Sequence, residues 1–456
     1  MRKYTGIHFY INIYMFNQII SDEESKTGRV THLIHAMDTF FTAIERYGNQ
    51  HFPVNFVIEK ITGSRLHLYV KEEQLIAAYE VVKAVSHFAY RLTKYINKEI
   101  SKYKTLDNFY IQIGAAYGKF YDFQFSAEEE EDYTETTTIG YAANFAAKLQ
   151  ALAKCSYICV SEDIYSGLEL RERDFYQQVN EKSIRKYDQS CYYTSHLSEI
   201  KSMVGIKEDD FEAVKEYANS FNLSEIEYSD VRKPLNYRYL SKTRCKEIIG
   251  IPVFADIRGF TKQFDADDVN LKDMAKKTQA ILKAMYKVTK ECKGVHVQFQ
   301  GDRELSVYHN IPKVTENNKI LPEEKCFKTA VLAAMRLVDA VKPFAVQIGV
   351  GGAFGTLFAA KLGARGSRDN ILLGISVVQA DMMEDKFAGE GQVAITKDVY
   401  DGLKAEDTDL ARQFTNKDDY YITTIGFEKF MKISSYDYLV SNTESNSYNG
   451  AWGELL

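Results

Sequence analysis

The sequence predicts an α+β protein made of two similar halves, each a set of helices packed on one largely antiparallel sheet. Three observations predict it. The order strand, helix, hairpin, helix, hairpin, helix, strand is written twice along the chain. Both copies turn their first hairpin at a glycine followed by a small polar residue and an arginine. Both carry a helix led by glycine near the end of the copy. Such self-similarity identifies a duplicated unit, and 456 residues suit two domains better than one.

The first strand of each copy is an apolar run, Ile7 to Tyr14 and Ile251 to Ile257. A helical segment follows each. The first hairpins are Phe56 to Leu66, turning at Gly63-Ser64-Arg65, and Val295 to Leu305, turning at Gly301-Asp302-Arg303. Gly followed by a small polar residue suits a tight two-residue turn. Ile111-Gln112-Ile113-Gly114 and Val346-Gln347-Ile348-Gly349 begin the second hairpins. The glycine-led helices are Gly140 to Leu149 and Gly374 to Met383. Each copy closes on a strand and short helix, Ile158 to Leu168 and Val393 to Leu403. Helices and hairpins mixed in this order predict an α+β sandwich. The predicted domains are 1–200 and 246–442, joined by a charged connector at 201–245 and followed by a flexible Ser/Asn/Gly-rich tail at 443–456. The acidic run Glu128 to Asp132 reads as a solvated loop.

Composition narrows the function. A net charge of −6 without a long Lys/Arg run argues against nucleic acid as a partner. A nucleotide needs only a few local cations and stays open. Six cysteines without paired zinc spacing read as reduced packing residues of a cytoplasmic protein. The apolar stretch Gly6 to Ile20 is broken by Asn12, Asn17 and Gln18, and no run reaches the roughly 18 apolar residues of a membrane span.

The chemistry-bearing segments follow. Phe254-Ala255-Asp256-Ile257-Arg258-Gly259-Phe260-Thr261 puts an acid at the end of an apolar strand, with glycine-loop amides beyond it suited to phosphate. Asp302 sits just past the tight turn of the second copy's hairpin. Antiparallel pairing brings the two carboxylates together, and convergent carboxylates suit Mg²⁺ or Mn²⁺. Taken singly, an Asp at a strand end is a cap and Gly-Asp a common turn. The repeat context favours a metal pair.

Phe-Ala-Asp-Ile-Arg-Gly-Phe-Thr followed by Gly301-Asp302 resembles the metal-binding signature of class III adenylate and guanylate cyclases. Gly140 to Leu149 resembles that family's transition-state helix, and the resemblance covers both halves. It implies two ferredoxin-like cyclase domains in head-to-tail pseudo-twofold contact, forming a site between them. It implies that Asp256, the Ile257 carbonyl and Asp302 hold two Mg²⁺ or Mn²⁺ ions. At those aspartate positions the first half carries Asn12 and Ser64. Conversely, the first half keeps Asn144 for the ribose, with Lys148 where the family has arginine; the second half has Val378 and Met382 there. One complete site and one dead pocket are expected. Lys148 departs from the pattern, since lysine is a point charge rather than a bidentate fork.

The resemblance implies cyclisation of a nucleoside triphosphate to its 3′,5′-cyclic monophosphate plus pyrophosphate. Amides near Phe260 and Thr261 would contact phosphates, and a cation from Arg185 or Lys186 the distal ones. Base-reading positions fall on Lys60 and Thr137, a donor and an acceptor. Cytosine and adenine present an amino donor beside a ring-nitrogen acceptor, so these residues favour CTP or ATP over GTP or UTP and leave both open. The dead pocket has Gln298 and Ile371 there. Two diverged cyclase domains without sensor, receiver or membrane part resemble the pyrimidine cyclases of bacterial Pycsar antiphage systems, and among them the tandem-domain cytidylate cyclases. That resemblance implies CTP as substrate, cyclic CMP as product, a monomer acting as internal pseudo-dimer, and a separate effector that senses the product. Other readings fare worse. Gly351-Gly352-Ala353-Phe354 lacks the acids of a diguanylate cyclase signature, and the glycines from Gly349 to Gly355 have the wrong spacing for a dinucleotide loop. A non-catalytic nucleotide-binding regulator would have no use for the retained aspartates.

Overall fold

The computed structural model describes residues 2–103, 106, 109–126, 134–187, 189–202, 204–230, 235–260, 271–309, 326–363 and 368–433. The expected acidic loop at 128–132 and the tail at 443–456 lie outside these residues.

In the first half, β1 (Arg2–Ile13) leads into α1 (Phe16–Thr27) and α2 (Thr31–His51). The hairpin β2 (Phe56–Thr62) and β3 (Arg65–Val70) precedes α3 (Leu75–Glu99). A second hairpin, β4 (Ile111–Ser126) and β5 (Thr134–Gly140), feeds α4 (Tyr141–Leu152). Then come β6 (Tyr157–Val160), α5 (Glu162–Gly167), α6 (Leu170–Arg173), β7 (Gln177–Asn180) and β8 (Cys191–His196).

Within 201–245, α7 (Glu208–Asn219) and β9 (Glu227–Asp230) are ordered. Phe211 of α7 stacks against Phe88 and Tyr95 of α3, and the Tyr217 hydroxyl donates to Asp38 of α2 at 2.7 Å. The second half opens with β10 (Arg244–Ile257), α8 (Leu271–Glu291), β11 (Val295–Gln300), β12 (Arg303–His309) and α9 (Phe327–Ala340). It continues with β13 (Ile348–Gly352), β14 (Gly355–Leu362), β15 (Asp369–Leu373) and α10 (Ile375–Met382), which runs into a π-turn over 383–387. The last elements are β16 (Gln392–Thr396), α11 (Lys397–Glu406), α12 (Thr408–Ala411), β17 (Thr415–Lys417), β18 (Tyr420–Thr423) and α13 (Phe427–Ile433). No helix among the described residues is long and apolar enough to cross a membrane.

The two sheets have one topology. Their strand orders are β2-β3-β1-β4-β6-β8-β7 and β11-β12-β10-β13-β16-β18-β17. Even the bulge recurs, between Ile58 and Lys60 in one hairpin and between His296 and Gln298 in the other. The α2 helix is deeply buried, on all faces from Leu33 to Ile44. Its apolar residues include Leu33, Ile34, Met37, Phe40, Phe41 and Ile44, at helical spacing, packed with Ile7, Phe9, Ile11 and Ile13 of β1.

Two details depart from the sequence reading. β10 is longer than the expected strand: its start at Arg244 pairs with β9 and with β14. The β4 and β13 strands also match two residues away from the expected alignment. Gly114 pairs with Tyr10 and Gly351 with Phe254, so Gly351, not Gly349, is the mate of Gly114. Packing selects this register. A Cβ on Gly114 would lie 2.0 Å from the Gln150 nitrogen, and one on Gly351 would lie 2.2 Å from the Glu384 nitrogen. Both glycines let the following helix approach the strand.

The halves interlock head to tail. The Phe299 amide on β11 donates to the Glu135 carboxylate on β5, at 2.9 and 3.1 Å. Reciprocally, the Ile61 amide on β2 donates to Asp369 on β15 at 2.6 Å. Phe299 and Ile61 are equivalent in the repeat, as are Glu135 and Asp369, so the contact is self-complementary about a pseudo-twofold axis. Core residues cross as well. Phe125 and Ile139 join the second half's core, while Phe358, Ile371 and Leu373 join the first's.

Candidate active site

β10 delivers Asp256 as its penultimate residue, opposite Arg303 in register. The β11–β12 turn, with Gly301 at φ 73°, sets Asp302 directly before Arg303. The two acids therefore neighbour each other across adjacent strands. Burial raises the Asp256 carboxyl against the pull of Arg303 and Arg258. Burial, and then the Asp256 charge, raise Asp302 well above the usual carboxylate range. A crowded acid pair of this kind is relieved by a bound cation. Among the described residues, no group of three or more His, Cys, Asp and Glu side chains is placed to hold an ion unaided. Two carboxylates and a strand-end carbonyl fit Mg²⁺ or Mn²⁺ as a site that substrate phosphates and water complete.

Arginines frame the pair. Arg258 approaches Asp256 at 3.4 Å and bridges to Glu384 at 2.6 Å, also donating to the Glu384 and Ala388 carbonyls. Arg303 binds Asp381 at 2.6 Å and Glu384 at 2.7 Å while lying 3.9 Å over the Phe254 ring. Burial, with the Asp256 charge adding, lifts the Glu384 carboxyl to about 7 despite these arginines.

The first half supplies the facing elements. Lys60 follows the β2 bulge and is 1% exposed. Its ammonium donates to Glu135 at 2.7 Å, to the Phe299 carbonyl at 3.0 Å and to the Thr137 hydroxyl at 3.3 Å. Lys60 and Thr137 are thus adjacent, but all three lysine donors already have acceptors. Asn144 and Lys148 stand one turn apart on α4, on one face. The Asn144 side-chain NH₂ is buried without a partner among the described residues, and the charge of half-buried Lys148 acts on Glu181. A buried amide with nothing to bind marks a place for a ligand.

The two sides meet through the interface. Lys60 touches Phe299, which lies on the strand leading into Asp302. Tyr10 packs with Phe145 and Leu149 of α4. Burial raises its hydroxyl most, with Glu59 and, further down, Asp302 adding. Phe260 and Ile257 have buried side chains, 5% and 2% exposed, leaving only backbone for a ligand. Arg185 is exposed on the turn Lys182–Tyr187. Thr261 and the Lys186 side chain lie outside the described residues.

The mirror-related cleft is a cavity of about 300 Å³. Its lining includes Asn12, Ser64, Arg65, Gln298, Val378 and Asp381, drawn from both halves. In the place of the acid pair, Ser64 donates to Asn12 at 2.6 Å. That bond shows how closely this hairpin holds its two positions. In the repeat, Asp256, Asp302 and Asn144 are the counterparts of Asn12, Ser64 and Val378, which line this cleft together.

Sequence reasoning missed the buried charges that organise the interface. Glu135 binds Lys60 and Phe299; His296 lies 3.5 Å from Glu135 and 2.9 Å from Glu304. Burial would raise Glu135, but Lys60 and His296 outweigh it and hold the carboxyl down at about 2. One signal was present. Glu135 and Asp369 each stand five residues before the helix-leading glycine of their half.

No protein-family model and no curated protein matches the sequence. Solved structures do. A class III adenylyl cyclase-like ATP-binding protein from Pseudomonas aeruginosa superposes with a TM-score of 0.66 at 17% identity, covering 94% of this chain and 90% of that one. The adenylyl cyclase CyaB from P. aeruginosa aligns with 39% of this chain and 94% of its own, at 16% identity and a TM-score of 0.32. The guanylate cyclase domain of RhGC from Catenaria anguillulae, in complex with GTP, aligns with 39% of this chain and 96% of its own, at 20% identity and a TM-score of 0.30. The chain has the fold of the full-length class III cyclase-like protein.

Proposed function

We propose that this chain is a class III nucleotidyl cyclase that converts CTP to 3′,5′-cyclic CMP and pyrophosphate. The observation that carries the proposal is the cross-half contact of Lys60 with Phe299, which joins the base-reading strand of one half to the metal-binding hairpin of the other. The first half, 1–200, supplies the base and ribose contacts. The second, 246–442, supplies the ion site, with 201–245 connecting them.

Asp256, the Ile257 carbonyl and Asp302 hold the ions. Mg²⁺ or Mn²⁺ bound there supplies charge neutralisation at the triphosphate and acidifies the attacking 3′-hydroxyl. The unpartnered Asn144 amide orients the ribose for in-line attack on the α-phosphorus. Lys148 offsets charge that develops on the phosphoryl oxygens as pyrophosphate leaves. Amides at Phe260 and Thr261 take phosphate oxygens, and Lys186 or Arg185 the distal phosphate. Lys60 donates to the ring nitrogen of the base, and Thr137 accepts from its amino group. The wider setting rests on resemblance: a cytoplasmic, monomeric signal generator in antiphage defence, whose product is sensed by a separate effector.

ATP is the second reading, favoured by the description of the full-length structural neighbour as ATP-binding. Incubating the purified chain with each NTP and Mn²⁺ and resolving the products by chromatography tests both. Cyclic CMP as main product is expected. Dominant cyclic AMP removes the pyrimidine assignment, and no cyclic product from any NTP removes the cyclase reading.

A further inference from the structure

We infer that Glu135 is the positioning residue that sets base selection, by clamping Lys60 of its own half to the ion-binding hairpin of the other. The inference rests on the cyclase reading above. Its basis is the way the three Lys60 bonds differ. Two run to Glu135 and to the Phe299 carbonyl at 2.7 and 3.0 Å; the third, to the Thr137 hydroxyl, is longest at 3.3 Å. A charge-assisted bond to a carboxylate is the strongest of these types. A substrate base therefore displaces Thr137 rather than Glu135. Exchange at that one position leaves the ammonium held at two points and aims its third N–H at the incoming ring nitrogen. The released Thr137 hydroxyl is then available to accept from the neighbouring amino group. The Lys60–Thr137 bond stands in for the donor and acceptor that an amino-pyrimidine or amino-purine edge presents.

Glu135 also reaches across the interface. Its carboxylate accepts from the Phe299 amide at 2.9 and 3.1 Å, with His296 at 3.5 Å. Phe299 and His296 both belong to β11, which leads into Asp302. One anion thus fixes the base-reading lysine relative to the strand that carries an ion ligand. The mirror position isolates this role. Asp369 accepts from the Ile61 amide at 2.6 Å in the same way, but the residue in place of Lys60 there is Gln298. The charge states agree: Lys60 and His296 hold Glu135 down at about 2, whereas burial lifts Asp369 to about 7. Asp369 keeps the backbone contact without the clamp.

The test is steady-state cyclisation of CTP, UTP, ATP and GTP by wild type, Glu135→Gln, Lys60→Gln, the double variant and Asp369→Asn. Glu135→Gln is expected to raise KM for the preferred nucleotide roughly tenfold or more, the scale of a lost bond to a charged group. It should narrow the kcat/KM ratio of the amino-base nucleotide over its oxo-base counterpart, CTP over UTP or ATP over GTP, and change kcat far less. The double variant should be no worse than Lys60→Gln alone, because Glu135 acts through Lys60. Asp369→Asn should keep the wild-type ratio. If melting curves show Glu135→Gln unfolded, Glu135→Asp replaces it; its shorter reach should narrow the ratio in the same direction. An active wild type whose ratio survives both Glu135 variants overturns the inference alone. Additive effects of the two single variants, or an equal effect of Asp369→Asn, also overturn it. A wild type that cyclises no NTP overturns the inference together with the reading beneath it.

Discussion

The two clefts use one scaffold for opposite ends. At the ion positions, one cleft has Asp256 and Asp302, crowded and raised by burial. The other has Asn12 and Ser64, which satisfy each other with a single hydrogen bond at 2.6 Å. At the helix positions, one has Asn144, whose buried NH₂ has no partner among the described residues, and the cation Lys148. The other has Val378 and Met382. The acid pair stands in one half and the Asn144 amide in the other, the division that the proposed shared site requires. The scaffolding contacts, by contrast, remain symmetric. The two sheets share one strand order, while the residues proposed for chemistry stand in only one set of positions.

The harshest test of that contrast pairs equivalent substitutions. Asp256→Ala should lower cyclic-nucleotide production by more than about a thousandfold, the scale of deleting a charge partner in phosphoryl transfer. Asn12→Ala at the mirror position should leave turnover within about twofold, since a solitary neutral hydrogen bond contributes modestly. Equal losses would mean that both clefts turn over. Next in size, Lys148→Ala should reduce kcat roughly a hundredfold, and Lys148→Arg should retain or raise it by restoring a fork to the phosphate oxygens. Met382→Lys, at the counterpart of Lys148, should add nothing, because Asn12 and Ser64 stand in place of the acid pair in the first half.

Much of this was legible before any coordinates. Apolar strand runs and glycine turns are local signals, so the duplicated order of elements and the neighbouring Asp256 and Asp302 could be read directly. The hidden part is non-local. Glu135 reads as one acid in a threonine-rich strand, yet its partner Phe299 lies 164 residues away. Arg258 and Arg303 stand inside the two motifs, but nothing in the sequence joins them to Glu384, which bridges both. The β13 register was misjudged because Gly349, Gly351 and Gly352 offer several alignments, and only the close approach of the following helix chooses among them.

That approach gives a test of the shared scaffold. Gly114→Ala and Gly351→Ala should each cost about 1–3 kcal/mol in urea unfolding, the range for overpacking a closed contact. The added Cβ meets helix backbone in both, at 2.0 and 2.2 Å. Backbone cannot swing aside as a side chain can. Similar losses uphold the structural equivalence of the halves, and a tolerated Gly351→Ala would break it.

The subtlest difference between the halves is in how their interface acids titrate. Asp369, lifted by burial to about 7, binds its proton more tightly when folded than the ordinary carboxyl near pH 4 does. Its contribution to stability is therefore present at low pH and lost as pH rises from about 4 through 7. Glu135 behaves inversely. Held at about 2 against the tendency of burial, it stabilises above the ordinary range and loses that effect as pH falls toward 2. Neutral amides copy the protonated forms. Asp369→Asn should then raise the melting temperature at pH 8 and match wild type near pH 5. Glu135→Gln should lower the melting temperature at pH 8, with the deficit shrinking below pH 4. Opposite signs at pH 8 follow from the cations each buried acid meets: Lys60 and His296 outweigh burial at Glu135, whereas at Asp369 burial outweighs the pull of Lys60. Shifts of the same sign would show that Lys60 does not set the charge of the interface.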